Sequence, residues 1–284
     1  MIQIKLINQD SKKLILDFLW EHQEYCMFLL SNIKEFGGLL GESPNSGNTY
    51  YIENNKKIEG VFYLARRGNL LVHLLNENHI DQVIEHLQSN EKIEVSGVLG
   101  QASQASSFYN KFKIKHKLED LFLSDEILYS IKLDESLHKV ENVNYFPKDK
   151  IALYLEFVRG FYNDQNLPDT LDDETRAKLF NNSVDKKTIW SLKEDNEIVS
   201  MAAMNAMYEN IGQVGGVYTP KEHRSRGFSK KCMRGLLYDC FHQHKLQKII
   251  LFTGNTNIAA QKVYEAIGFK RIGRYGMFFG KRTS

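Results

Sequence analysis

Apolar and polar residues alternate at the start of the chain, where Ile2, Ile4 and Leu6 flank Gln3 and Lys5. That period of two predicts a half-buried strand. The period then lengthens. Leu14, Ile15, Phe18 and Leu19 share one face of a helix capped at Asp10 or Ser11, and Tyr25 to Ile33 continues helical up to Gly37-Gly38. Gly41 to Asn48 is a loop by composition. Tyr50 to Ile52 and Ile58 to Leu64 predict a hairpin turning at Asn54-Asn55, followed by a strand from Leu70 to Leu75. Ile80 to Leu87 predicts a short amphipathic helix, Ile93 to Leu99 a strand broken by Gly100, and Ser106 to Phe112 another helix. Leu118 to Leu133 supplies one long strand or two short ones.

Ser136 to Lys150 is polar and contains Pro147, which makes it the best linker candidate. The expected division is therefore 1–135, a linker at 136–147, and 148–284. Beyond the linker two helices are predicted, roughly Asp149 to Asn163 and Asp172 to Asn181, joined by the turn-forming Asn166-Leu167-Pro168-Asp169. Thr188 to Leu192 and Ile198 to Tyr208 form a hairpin turning at Glu194-Asp195-Asn196, and Ile211 to Thr219 is the next strand. A helix, a strand, a helix ending at Gly268 and a last strand from Phe269 complete the pattern. The two halves share a coarse order of elements, which raises duplication. The fold class is α/β (α+β).

Length and composition leave that picture intact. The 284 residues are 42% hydrophobic and 25% charged, enough for two ordinary domains with their own cores. A net charge of +2, with no basic stripe, gives no sign of a nucleic-acid binder. Cys26, Cys232 and Cys240 form no C-x-x-C pair, so neither a disulfide framework nor a metal site is indicated, and a cytoplasmic, reducing compartment fits. Met1 to Asp10 lacks the layout of a signal peptide, and no apolar run of about 18 residues predicts a membrane span.

Candidate chemistry concentrates between Val217 and Phe269. Pro220 ends a strand after Val217, Tyr218 and Thr219, and a helix begins at Phe228 or Ser229. The turn between them holds Arg224, Ser225, Arg226 and Gly227. Gly227 admits a positive φ and close approach of a ligand. The first helical amides, including that of Lys230, have no internal partners, and with the helix dipole they favour phosphate. On the turn alone, a solvated basic loop is an equal reading. In the second helix Asn257 and Tyr264 are seven residues apart, nearly two turns, with Ala260 between them on the same face. By itself Tyr264 reads as a half-buried aromatic.

Together these residues resemble the GNAT family of N-acetyltransferases. Arg224-x-x-Gly227-x-Ser229 is similar to the family's Q/R-x-x-G-x-G/A turn. Asn257-x-x-Ala260-x-x-x-Tyr264-x-x-x-Gly268-Phe269 is similar to its second motif. The resemblance covers about Lys148 to Lys281, and the first half fits a degenerate copy, giving two tandem GNAT-like domains, each with a mixed, mostly antiparallel sheet flanked by helices. It implies an acetyl-CoA-dependent transfer of acetyl to a primary amine by direct attack. It places Val217, Tyr218 and Thr219 along the pantetheine arm, Arg224, Ser225, Arg226, Gly227, Phe228, Ser229 and Lys230 around the pyrophosphate, and Asn255, Asn257 and Ala260 near the cofactor. Tyr264 is the implied general acid, and the Val217 amide polarises the thioester carbonyl. The first half, lacking such a turn at Gly100-Gln101-Ala102-Ser103, is expected not to bind acetyl-CoA.

Two departures matter. Where some members carry a glutamate base, the chain has Gln213, which leaves water, Glu209 or Tyr208 to take the proton. The last turn position is Ser229, whose hydroxyl is expected to cap the helix. The rival readings are a CoA or acyl-CoA sensor without turnover and an enzyme using a longer acyl or an aminoacyl donor. His242 and His244 do not face one direction, and His223 reads as an exposed loop residue. Met201, Met204 and Met207 read first as core, and Asp169, Asp172 and Asp173 as a helix start or an amine lure. The sequence is silent on acceptor identity and oligomeric state.

Overall fold

The computed structural model describes residues 2–168 and 171–282. The chain divides into two compact units. Unit 1 takes the chain up to Ile127 together with the segment from Gly273 onward, and unit 2 is Leu128–Ile272.

The first half runs β1 (Ile2–Leu6), α1 (Gln9–Glu21), α2 (Gln23–Phe36), β2 (Gly47–Asn54), β3 (Lys57–Ala65), β4 (Asn69–Leu74), α3 (Ile80–Asn90), β5 (Gly97–Gln101), α4 (Ala102–His116) and β6 (Leu118–Lys132). The second runs β7 (Val143–Tyr145), α5 (Ile151–Gln165), α6 (Asp173–Asp185), β8 (Ile189–Glu194), β9 (Glu197–Tyr208), β10 (Ile211–Tyr218), α7 (Phe228–His242), β11 (Lys248–Gly254), α8 (Ile258–Ile267) and β12 (Lys270–Arg282). The order of strands and α-helices is the same in both halves, so the coarse repetition seen in the pattern extends to every one of these elements.

Pairing, not order, sets the unit boundaries. In unit 1 the sheet order is β1-β2-β3-β4-β5-β12-β6, β6 contributing its part up to Ile127. Tyr275 to Phe279 of β12 lie antiparallel to Gly97 to Gln101 of β5, so the last strand of the second half completes the sheet of unit 1. The segment expected as a linker, 136–147, lies inside unit 2 and contributes β7, whose Val143 to Tyr145 pair with Leu192 to Trp190. Pro147 follows that short strand, and Gly235 of α7 gives Val143 room.

Each unit is a mostly antiparallel sheet flanked by helices; among the described residues β4 runs parallel to β5 in unit 1 and β10 parallel to β11 in unit 2. In unit 1, Leu70, Val72 and Leu74 bury against Val83, Leu87, Phe108 and Phe112 of α3 and α4. In unit 2, Met201 and Ile189 pack with Phe146, Phe157 and Phe180 on one side. Cys232, Met233, Leu236 and Leu237 of α7 are buried. Met201 and Met204 are thus core residues.

Local signals differ from expectation in a few places. The α1 cap is Asn8, whose Oδ1 accepts from the Ser11 N–H at 2.8 Å while Ser11 Oγ accepts from the Asn8 N–H at 2.9 Å. Gly100 lies within β5, not at its break. A Cβ there would stand 2.4 Å from the Val72 carbonyl oxygen, so this glycine lets β4 approach closely.

Candidate active site

β10 and β11 pair at only three positions, Ile211 with Lys248, Gly212 with Ile249 and Gln213 with Ile250. Beyond Gln213 the two parallel strands separate, leaving an opening between Val214–Tyr218 and Leu251–Gly254. Two irregularities in the β9–β10 ladder turn β10 away, at Gln213/Val214 and between Gly215 and Tyr218. Gly216 has φ +59, and Val217 is skipped by the pairing with β9.

Two of the three expected strand-end residues are tied elsewhere. The buried Ser200 hydroxyl lies 3.1 Å from the Tyr218 carbonyl oxygen and 2.9 Å from Thr219 Oγ1. Arg224 Nε donates to the Thr219 carbonyl at 2.9 Å. Val217 and Thr219 both fall outside the β9 ladder, but Thr219 is engaged by Ser200 and Arg224, so Val217 is the member of the trio that neither the ladder nor these bonds take up.

At the turn, Ser225 (φ 62) and Gly227 (φ 77) both adopt the left-handed region. A Cβ on Gly227 would meet nothing within 4 Å, so glycine serves the backbone conformation and the surface beside it is open. Gly227 is also the N-cap of α7 and supplies no side-chain bond. The first helical bond runs from the Lys231 N–H to the Gly227 carbonyl, leaving the Phe228, Ser229 and Lys230 amides without helical partners. Ser229 does not cap this helix. It falls within the first turn, past the cap position. The two arginines part ways. Arg226 lies over the Phe228 ring at 4.6 Å and is exposed. Arg224 pairs with Asp164 of α5 and stands 5.8 Å from the centre of the Tyr218 ring. Its guanidinium therefore ties the turn to α5.

α5 holds Tyr218 through a notch. A Cβ on Gly160 would lie 2.1 Å from the Tyr218 hydroxyl, and Phe157 meets the ring edge-on at 5.5 Å. Burial, and then the nearby Asp164 carboxylate, raise the proton affinity of that phenol.

On α8, the Asn257 side chain accepts from the Ala260 N–H at 3.1 Å and caps the helix, so its oxygen is engaged and its NH2 group is the part left for a ligand. Gln261, which the sequence reading passed over, donates to the carbonyls of Gly254 (3.1 Å) and Asn255 (2.8 Å) and fixes the end of β11. Gly268 (φ 113) ends the helix, with its N–H bonded to the Tyr264 and Glu265 carbonyls. Tyr264 is buried and packs edge-on to Tyr129 with ring centres 6.1 Å apart. Tyr129 donates to Glu265 at 3.0 Å, and burial, followed by that bond, raises its own phenol.

Gln213 is 1% exposed. Its Nε2 donates to the Val214 carbonyl at 2.8 Å and its Oε1 has no partner. Glu209 sits in the β9–β10 turn at φ 48, before the start of β10 and at the end where β10 pairs with β11, not at the opening beyond Gln213. Asp172 caps α6 through the Thr175 N–H at 2.7 Å, and Asp173 pairs with Arg159. Asp169 lies outside the described residues. Among these residues no cluster of three or more metal-ligating side chains occurs, and no helix is long and apolar enough to cross a membrane.

Residues 152–269 match the profile of the acetyltransferase (GNAT) family. This segment is a GNAT domain. The whole chain also superposes on solved structures of the same mixed α/β fold. It covers 98% of itself and all of a GNAT-family acetyltransferase from Colwellia psychrerythraea, at 16% identity and TM-score 0.55. A Drosophila protein aligns over 97% of this chain and 98% of its own at 10% identity, TM-score 0.69. A tandem GNAT protein from the clavulanic acid pathway aligns over all of both chains at 10% identity, TM-score 0.51. Comparison with curated proteins gives no match. In the GNAT domain the opening between β10 and β11, the uncapped start of α7 and the face of α8 bearing Tyr264 follow one another along the chain.

Proposed function

We propose that the protein is an acetyl-CoA-dependent N-acetyltransferase acting on a primary amine through its GNAT domain. The observation that carries this reading is the three-pair contact of β10 with β11. It leaves an opening between two strands, one leading into the uncapped amides of α7 and the other into α8 with Tyr264.

Acetyl-CoA supplies an activated thioester. The Phe228, Ser229 and Lys230 amides, with Arg226 beside them, suit its pyrophosphate. The Val217 backbone suits the amide-bearing arm as a strand edge suits an added strand. The Val217 N–H polarises the thioester carbonyl. The amine nitrogen bonds to the carbonyl carbon as the C–S bond breaks, the Tyr264 hydroxyl protonates the leaving sulfur, and the nitrogen gives up its proton to water. Gln213 stands where a carboxylate would accept that proton, which is the observation favouring the sensor reading.

We infer that unit 1 holds no second acetyl-CoA. Its strand–turn–helix between parallel strands is β4, 75–79 and α3, not the Gly100 segment. That turn carries Glu77, with Asp81 in the first turn of α3, and the Asn76 side chain already takes the Asn78 N–H at 2.9 Å.

Calorimetric titration with acetyl-CoA, followed by thiol release on a panel of primary amines, tests the proposal. Binding with amine-dependent release supports it. Binding without release favours the sensor, and no binding overturns both readings.

A further inference from the structure

Tyr264 is backed by a connected set of side chains that lies wholly within unit 2. Its ring packs edge-on to Tyr129 of β6, with ring centres 6.1 Å apart, and against Phe269 at 5.9 Å. Tyr129 is fully buried, so its ring has little room to move away. The Tyr129 hydroxyl donates to Glu265 Oε1 at 3.0 Å. Arg271 of β12 meets the same oxygen, with Nε at 2.8 Å and Nη2 at 2.7 Å. One carboxylate oxygen thus collects three donors from two strands, which sets where the Tyr129 hydroxyl sits.

Arg271 carries the set further. Its Nη2 also donates to Gln261 Oε1 at 3.2 Å. Gln261 is buried and donates in turn to the Gly254 and Asn255 carbonyls at the end of β11. Gln261 and Glu265 stand one turn apart on α8, so a single guanidinium grips both. An unbroken chain of contacts therefore runs from the β11 side of the opening, through Gln261, Arg271, Glu265 and Tyr129, to Tyr264. None of these four linking residues is among the motif residues of the chain.

Resting on the transfer reading above, we propose that Tyr129 is a positioning residue for Tyr264, and that the Glu265–Arg271–Gln261 links hold it in register with the end of β11. A hydroxyl that protonates a leaving sulfur works only within hydrogen-bond reach of it. The Tyr264 hydroxyl sits at the far end of a ring that swings about its own side-chain bonds, so what the ring packs on sets its placement. A displacement of about 1 Å in such a group costs up to about a hundredfold in rate. No proton passes through Tyr129, whose hydroxyl is engaged by Glu265.

The test uses the full chain in two measurements. Steady-state transfer compares the unaltered protein with Tyr129→Phe, Glu265→Ala, their double variant and Glu265→Gln. Tyr129→Phe keeps the ring and removes the bond, and it lowers kcat roughly tenfold with KM for acetyl-CoA unchanged. Glu265→Ala lowers kcat in the same way, and the double variant adds little to it, since both changes remove one bond. Glu265→Gln, whose amide oxygen still accepts from Tyr129, recovers most of the rate. The second measurement needs no turnover: NMR of ring-labelled tyrosine, with the Tyr264 signals assigned by Tyr264→Phe, follows the flipping of that ring. Flipping speeds up in Tyr129→Phe and Glu265→Ala and stays slow in Glu265→Gln. An undiminished kcat in Tyr129→Phe, a loss that appears in KM for acetyl-CoA instead, additive losses in the double variant, or unaltered ring flipping overturns the proposal. An unaltered chain that transfers nothing defeats the transfer reading, and ring flipping then decides whether Tyr129 holds Tyr264.

Discussion

One side chain of unit 1 satisfies both backbone groups of a strand end: Gln104 Oε1 accepts from the Leu74 N–H at 2.9 Å, and its Nε2 donates to the Leu74 carbonyl at 2.7 Å. Gln104 is buried on α4, just where β4 loses β5 as its neighbour. A carboxamide presents the same donor and acceptor as a peptide unit. It therefore fills in unit 1 the kind of strand edge that Val217 leaves open in unit 2. Calorimetry is expected to give one acetyl-CoA per chain, and Gln104→Ala is expected to lower stability by about 1–3 kcal/mol through the two orphaned groups without adding a second site. A stoichiometry of two in the unaltered chain contradicts this.

Gly227→Ala separates backbone strain from steric clash. With φ at 77 and no atom within 4 Å of the added Cβ, the substitution meets only the left-handed penalty, about 1–2 kcal/mol. Acetyl-CoA affinity is expected to fall several-fold as the turn relaxes, with Gly227→Asn milder because asparagine tolerates this region. Titration of both variants checks the order. Equal affinities for glycine and alanine would show that the turn does not need this geometry.

Gly160→Ala acts in the opposite way, through contact. Its Cβ would fall 2.1 Å from the Tyr218 hydroxyl and 2.5 Å from the ring carbon bearing it, so the ring has to leave its notch on α5. A loss of roughly 1–3 kcal/mol is expected. Combining it with Tyr218→Ala should cost less than the sum of the single changes, since the clash disappears. Denaturant unfolding of the four proteins gives the coupling, and strict additivity would place the damage elsewhere.

How much of this was legible beforehand varies by residue. The alternation at Ile2–Leu6, the hairpins and the turn from Arg224 to Ser229 announce themselves, because period and turn chemistry are local properties. The assignment of β12 to unit 1 does not, because which strand accepts Tyr275–Phe279 depends on pairing across the whole chain. The short β7 was hidden in a polar stretch whose Val143 gains its meaning from Gly235. Asp164, Gln104 and Gln261 are ordinary polar residues in helical patterns. Their roles come from partners 60, 30 and 6 to 7 residues away. The cap expected of Ser229 belongs to Gly227, two residues earlier, a difference that only the backbone conformation resolves.

Acid should weaken unit 1 through His73. Burial, followed by the charge of His22, lowers its pKa from 6.5 to about 4. Because the folded value lies below the unfolded one, the unfolded chain takes the proton first as pH falls. The contribution is complete above about 6.5 and is lost as pH drops toward about 4, amounting to about 3 kcal/mol. The stability difference between the unaltered chain and His73→Phe should therefore change across this window in urea unfolding. A difference independent of pH would show that His73 ionises freely when folded.

The most direct test of the central claim is thiol release from acetyl-CoA by the full chain, with and without a panel of primary amines, comparing the unaltered protein with Tyr264→Phe. Release is expected to depend on the amine, to match acetylated amine one for one, and to fall by roughly a hundredfold in the variant at saturating substrates. Tight acetyl-CoA binding with no amine-dependent release would contradict acetyl transfer, and an unchanged rate across pH in Tyr264→Phe would contradict the role of Tyr264 as the acid.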